Sequence, residues 1–82
     1  MIVWQRRDGT SIHLDGERLR GLRVSSGWTQ RSVAVNIGVT AAAVSAWETE
    51  SCCPSLPQIE KIRAVFGAAL EKSGAIVVRH GK

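Results

Sequence analysis

The sequence lacks the cysteine and histidine patterns that support disulfide-linked or zinc-binding folds. Its two cysteines, Cys52 and Cys53, are adjacent, and adjacent cysteines rarely form an unstrained disulfide. His13 and His80 are the only histidines, and neither lies at the spacing of a zinc ligand. We therefore expect two reduced thiols in a loop and no metal site. A redox switch at this pair of cysteines is the alternative interpretation.

Long apolar runs and catalytic motifs are also missing. No apolar segment approaches the roughly 18 residues that a membrane-spanning helix needs, and no secretory signal is visible. The chain holds no recognisable Ser/His/Asp arrangement, no glycine-rich phosphate loop and no pair of carboxylates placed for acid–base chemistry. We therefore expect a cytoplasmic protein that is not an enzyme, uses no cofactor and has no small-molecule ligand.

Basic residues are in modest excess and are unevenly distributed. The 82 residues carry 11 Lys and Arg against 7 Asp and Glu, a formal net charge of +4, which suits a polyanionic partner. Residues 28–50, however, hold one arginine and two glutamates, so attraction for phosphate must come mostly from the flanking segments. The apolar fraction of 44% and the length predict one small globular domain.

The stretch from residue 30 to residue 49 predicts two short helices around a tight turn. Gly38 can adopt the positive φ at which a helix stops and the chain turns. Apolar residues recur three or four positions apart on both sides of it, so both helices turn an apolar face to one core. These residues are Val33, Ile37, Val44 and Trp47. Thr40 can cap the second helix, and the whole is the pattern of a helix-turn-helix, whose second helix enters the DNA major groove.

The order of motifs around this stretch resembles the Cro/C1-type family, also called XRE or lambda-repressor-like. The motifs are ERLRGLR (17–23), GWTQ (27–30), the helix-turn-helix, SAWE (45–48) and PSL (54–56). The resemblance covers roughly residues 17–70 and implies a mainly α, five-helix domain that binds double-stranded operator DNA as a homodimer. It also implies a repressor or other transcription regulator from a bacterium or a phage, with the third helix, about residues 41–48, in the major groove.

The segments outside the resemblance predict short β-strands. Ile2-Val3-Trp4 and Ile12-His13-Leu14 flank the hairpin signal Asp8-Gly9. Ile76-Val77-Val78 is a third β-prone run that could pair with the hairpin, in its own chain or in a partner's, because a lone hairpin is barely stable. Frayed termini are the alternative. We expect one domain over residues 1–82, made of a hairpin extension (1–14), a helix-turn-helix core (15–73) and a C-terminal strand or tail (74–82).

Capping patterns predict where the helices begin. Asp15 is placed to cap the first helix, and Thr29 the second, with Ser32 as a weaker partner than the usual acidic or amide residue of a capping box. Ser55 and Gln58 form the capping-box pattern of the fourth helix. We expect the first helix over residues 16–26 and a short fifth helix over residues 68–73.

One charged pair is expected to be structural. By resemblance, Arg23 and Glu48 match an internal ion pair of the family. The functional interpretation is that this pair fixes the recognition helix at its working angle, and the alternative is two solvated charges.

Expected DNA contacts divide into those to phosphates and those to bases. Backbone N–H groups at the start of the second helix favour a phosphate, and the resemblance places Gln30 against the DNA backbone. The expected phosphate contacts are Thr29, Gln30, Arg31 and Ser55. A solvated Arg31 and a Ser55 that only caps its helix are the alternatives. The expected base contacts are Thr40, Ala41, Ala42, Ser45, Ala46 and Thr49.

The base-contact positions are unusual because they hold no long amide and no arginine, the side chains whose bidentate bonds separate bases by about 1–3 kcal/mol each. Specificity would then depend on DNA shape, on half-site spacing, or on Arg6 or Arg7 entering the minor groove. Glu50 is expected to repel phosphates just after the third helix. These features favour a rival function, a protein-interaction module on the same fold, such as an antitoxin-like component of a two-protein system.

Overall fold

Three short strands and five helices make up residues 2–80, the part of the chain that the computed structural model describes. They are β1 (Ile2–Gln5), β2 (Thr10–Leu14), α1 (Gly16–Ser25), α2 (Gln30–Ile37), α3 (Ala41–Glu48), α4 (Leu56–Phe66), α5 (Ala69–Lys72) and β3 (Ile76–His80). The predicted mainly α fold, with five helices and terminal strands, is confirmed. Two helices are shorter than predicted: α1 stops at residue 25 rather than 26, and α5 spans residues 69–72 rather than 68–73.

The strands form one antiparallel sheet in the order β1-β2-β3. Asp8 closes the hairpin turn by accepting a hydrogen bond from the Thr10 backbone N–H at 3.0 Å and another from the Thr10 hydroxyl. The third strand pairs with β2 of its own chain, with Ile76 opposite Leu14. Pairing within the chain, one of the two predicted arrangements, is therefore the one that the structure adopts.

One face of this sheet covers the helices. Inward-pointing residues of the strands are buried, with Leu14 and Ile76 almost wholly inaccessible. The helices contribute the rest of the buried apolar core, which includes Leu19, Val33, Ile37, Val44, Trp47, Ile59, Ile62 and Leu70. Both α2 and α3 thus turn their apolar faces to one core, as their periodicity predicts. None of the helices described within residues 2–80 has the length and apolarity to cross a bilayer.

Helix boundaries follow local capping chemistry. The Thr29 hydroxyl accepts from the Ser32 backbone N–H at 3.0 Å and the Ser32 hydroxyl accepts from the Thr29 backbone N–H at 3.2 Å. Ser32 therefore completes the capping box, although its side chain is shorter than the usual partner. Gly38 ends α2 with a φ of 77° and lets α3 follow after one tight turn. The relative positions of α2 and α3 are set by this turn and by their shared core.

Candidate nucleic-acid interface

A buried ion pair connects the end of α3 to α1. Arg23 Nε lies 2.5 Å from Glu48 Oε2, and the Arg23 and Glu48 side chains are only 10% and 2% exposed. Arg23 Nη1 also donates to the Trp28 carbonyl at 2.9 Å, so the guanidinium has partners on both sides. The two charges are paired rather than solvated, which is the arrangement that burial of a charge requires.

The same carboxylate also binds α2. Gln30 Nε2 donates to Glu48 Oε1 at 3.0 Å, so the first residue of α2 is tied to the last residue of α3. The Gln30 side chain, which was predicted to contact a phosphate, therefore already has a hydrogen-bond partner within the protein. Its backbone N–H lies in the first turn of α2, where no carbonyl of the same helix can accept it.

The start of α1 lies directly against the end of α3. A Cβ added to Gly16 would lie 2.4 Å from the Glu48 carbonyl oxygen and 2.7 Å from that of Trp47, so only glycine fits without displacement. Glu50, with a φ of 62°, directs its carboxylate Oε2 to the Gly16 backbone N–H at 3.0 Å. Its charge therefore lies beside the N-terminal end of α1, and its expected repulsion of phosphates stays a prediction.

The side of α3 away from the core is open to solvent. Thr40, Ala42 and Thr49 are exposed, and Ala41, Ser45 and Ala46 are half-buried. The Thr40 hydroxyl accepts from the Ala43 backbone N–H at 3.1 Å, and the Thr49 hydroxyl donates to the Ser45 carbonyl at 3.1 Å. Both hydroxyls therefore form hydrogen bonds with the backbone at the ends of α3. Their predicted contacts with bases would be made in addition to these hydrogen bonds.

An open groove runs along α3, between α1 and the start of α2. Its lining comprises Arg20, Arg23, Val24, Trp28, Thr29, Gln30, Arg31, Ala41, Ser45, Glu48 and Thr49. The guanidinium groups of Arg20 and Arg31 are exposed, and neither makes an ion pair with any residue of the described chain. Within residues 2–80, Arg20 and Arg31 are therefore two positive charges without an ion-pair partner beside the groove, while the charge of Arg23 is neutralised by Glu48.

Three residues of the groove are absent from the predicted site residues: the charged Arg20 and the apolar Val24 and Trp28. Arg20 is the one that brings a charge. It precedes Arg23 by three positions, so both lie on the same side of α1. Because the resemblance already placed Arg23 against Glu48, this spacing was the signal that could have placed Arg20 beside α3.

The remaining predicted contacts lie away from this groove. Arg6 and Arg7 lie in the hairpin turn, where the Arg6 backbone N–H donates to the Thr10 carbonyl at 2.9 Å, rather than in a free arm. Arg6 borders a separate cavity beside β3 and α4. Ser55 caps α4 and shares a complete capping box with Gln58. DNA contacts by these residues stay predictions.

Comparison with known proteins agrees with this arrangement of helices. A family model described as a helix-turn-helix domain matches residues 16–72, which span α1 to α5 and more than half of the chain. No curated protein and no solved structure matches the chain significantly. The match indicates a DNA-binding regulator. The chain belongs to the helix-turn-helix domain family.

Proposed function

We propose that the protein is a Cro/C1-type transcription regulator, most simply a repressor, which binds a short palindromic operator as a homodimer in the cytoplasm of a bacterium or of a phage host. Helix α3 of each subunit enters the major groove of one half-site. The residues that face the bases are Thr40, Ala41, Ala42, Ser45, Ala46 and Thr49. Small side chains at these positions allow a close approach and contacts with thymine methyl groups.

The observation that carries this proposal is the open groove along α3 with unpaired arginines on its borders. A helix that enters duplex DNA needs its outer side free and cations placed to reach the phosphates on either side. Arg20 from α1 and Arg31 from α2 meet that need. These two arginines supply positive charge that the loop after α3 does not, because that loop contains no Lys or Arg.

Backbone groups at the start of α2 complete the proposed phosphate contacts. The N–H groups of Gln30 and Arg31 lie in the first helical turn, where a phosphate is favoured by the free donors and the helix dipole. Thr29 and Ser55 are the other proposed contacts of this class. Gln30 then contributes to phosphate binding through its backbone, while its side chain holds Glu48.

We propose a division of labour within one domain of residues 1–82. The core of residues 15–73 binds DNA. Strands β1 and β2 of the N-terminal extension (1–14) form one sheet with β3 of the C-terminal segment (74–82). The subunit contact lies on the strands or on the α4–α5 region, because these elements are separate from the groove along α3.

The test is the affinity for duplex DNA measured against salt concentration, using an operator selected from random duplexes with the full chain. Each phosphate contact contributes about −0.9 to the slope of log K against log salt. Replacing Arg20 with alanine is expected to weaken binding to all sequences and to make the slope shallower by about 1. Fluorescence anisotropy of a labelled duplex measures both quantities.

The matched control for this variant is Arg18→Ala, which removes an exposed arginine of α1 that does not line the groove. Arg18→Ala is expected to leave the slope unchanged. Equal effects of the two variants would mean that Arg20 acts only through net charge. If no duplex is selected and the chain binds DNA with no dependence on salt, the proposal of a DNA-binding regulator is wrong.

The alanine-rich outer side of α3 favours a second candidate, a protein-interaction module such as an antitoxin-like component of a two-protein system. Ala41, Ala42 and Ala46 offer a small, weakly polar surface that another protein could cover. This candidate predicts no selected operator and no phosphate-dependent salt slope, so the same titration separates the two functions.

A further inference from the structure

Two neighbouring thiols lie in the connection between α3 and α4, and the proposed function does not use them. Cys52 and Cys53 are both free and both exposed. Neither side chain belongs to the apolar core, so packing does not account for this pair. A loop that only connects two helices does not require two adjacent exposed thiols.

The backbone around these thiols is anchored at both ends. The N–H groups of Ser51 and Cys52 donate to the Ala46 carbonyl at 2.8 and 3.3 Å, which satisfies a carbonyl in the last turn of α3. On the other side Pro54 is buried. The thiols therefore lie on a short segment whose backbone completes the end of the helix that lines the groove.

The chemistry of adjacent thiols favours a ligand that binds two sulfur atoms at once. A direct disulfide between neighbours is disfavoured, because a relaxed disulfide requires a Cβ···Cβ distance that consecutive residues reach only with strain. A third atom placed between the two sulfurs removes that requirement. Thiolates are soft ligands that select soft, thiophilic elements, and the second bond benefits from a high effective concentration.

We propose that Cys52 and Cys53 form a chelating site for compounds of trivalent arsenic. In the binding reaction each S–H bond is replaced by an As–S bond, and the oxygen of the arsenic compound leaves as water with the two thiol protons. Arsenic stays trivalent, so the reaction needs neither an oxidant nor a reductant. Bringing both sulfurs to one arsenic atom turns neighbouring side chains to the same side. That rotation changes the backbone at Cys52 and weakens the hydrogen bonds to Ala46.

The test uses phenylarsine oxide and the full chain, with intact-mass spectrometry as the readout. One adduct per chain, with loss of one water, is expected to survive an excess of the monothiol glutathione and to be removed by a dithiol. Cys52→Ser and Cys53→Ser each leave a single thiol, and we expect glutathione to strip the adduct from both variants. Both residues are exposed, so these substitutions preserve the fold, which circular dichroism checks.

Loss of the wild-type adduct to glutathione, or equal retention in a single-cysteine variant, would overturn the chelate. The coupling to α3 has its own readout, amide hydrogen exchange at Ser51 and Cys52, which is expected to become faster in the adduct. Unchanged exchange at both amides would overturn that coupling. Neither measurement involves DNA, so the outcome is independent of whether the proposed operator binding is correct.

Discussion

At Glu48 three helices meet, because its carboxylate accepts hydrogen bonds from Arg23 of α1 and from Gln30 of α2 while its own backbone ends α3. Both members of the ion pair are buried. A buried pair of this kind contributes little net free energy compared with well-packed apolar residues, but removing one partner leaves an uncompensated charge. Its effect is therefore best measured by deleting one member.

Replacing Glu48 with alanine is expected to lower the free energy of unfolding by about 3–5 kcal/mol, since Arg23 would remain buried without a counter-charge. Urea denaturation followed by circular dichroism measures the change. The control is Glu60→Ala on α4, an exposed glutamate whose removal is expected to change stability by about 0.5 kcal/mol or less. A loss below about 1 kcal/mol in Glu48→Ala would mean that the pair is solvated.

Individual residues also show which side-chain contacts can be predicted from the sequence and which cannot. The resemblance pointed to Arg23 and Glu48 as partners, and the structure places them in contact. The side chain of Gln30 was less predictable, because nothing in its local sequence shows that its amide meets the Glu48 carboxylate, 18 positions along the chain. The contact of Glu50 with the Gly16 backbone, 34 positions away in the sequence, was likewise not apparent from its neighbours in the chain.

At the scale of secondary-structure elements, the start of α1 is packed tightly against the end of α3 at Gly16. Replacing Gly16 with alanine places a Cβ against two carbonyl oxygens of α3, so the helices must separate. We expect a loss of about 1–3 kcal/mol in the free energy of unfolding, as for other overpacked sites. Thermal and urea denaturation measure it, and amide exchange in α3 reports the displacement.

Gly21 supplies a matched control in the same helix. A Cβ at Gly21 meets no atom within 4 Å, so Gly21→Ala adds a methyl group in open space. Alanine in a helix interior is more stable than glycine by roughly 0.5–1 kcal/mol, and the control is expected to gain about that amount. A Gly16→Ala chain as stable as the wild type would show that α1 and α3 are not in tight contact.

The β1–β2 turn is expected to make stability depend on acidity. The Thr10 hydroxyl and, next, the Thr10 backbone N–H hold the pKa of Asp8 below its ordinary value. A lowered folded-state pKa means that the stabilisation is complete above the unfolded pKa of about 3.9 and is lost as the pH falls through the folded value. The wild type should therefore exceed Asp8→Ala in free energy of unfolding by a margin that decreases as the pH is lowered from about 6 to about 3. Urea denaturation at each pH measures this margin. A constant difference would contradict the assignment.

The boundaries of the helices could be predicted from the sequence better than the pairing of the strands. The caps at Thr29 and Ser55 and the glycine at position 38 mark helix boundaries through interactions between near neighbours in the chain, which a sequence displays directly. Pairing of β3 with β2 joins residues far apart in sequence. A β-prone run such as residues 76–78 carries no information about which strand it meets, so the sequence alone does not distinguish pairing with the chain's own hairpin from pairing with a partner's.

On the scale of the whole molecule, size and charge both bear on the proposed operator. The longest dimension of the described chain is 38 Å, and it presents one α3 helix. Successive major grooves on one face of DNA lie about 34–36 Å apart, so reading two of them requires two chains. The net charge is a modest +4, and the exposed cations beside the groove are Arg20 and Arg31. Specific binding is therefore expected to depend on pairing two weak half-site contacts.

That dependence leads to a prediction about the selected operator. Inserting about five base pairs, half a helical turn, between its half-sites turns them to opposite faces of the duplex, where a dimer with fixed subunits reaches only one. Affinity should fall to the level of a single half-site, as measured by anisotropy, while sedimentation should still report a dimer. As a control, five substitutions in the spacer at constant length keep both half-sites on one face and should retain most of the affinity. Equal affinity for the original and lengthened operators would mean that each chain binds alone, because only a coupled pair of α3 helices is sensitive to the angle between its two sites.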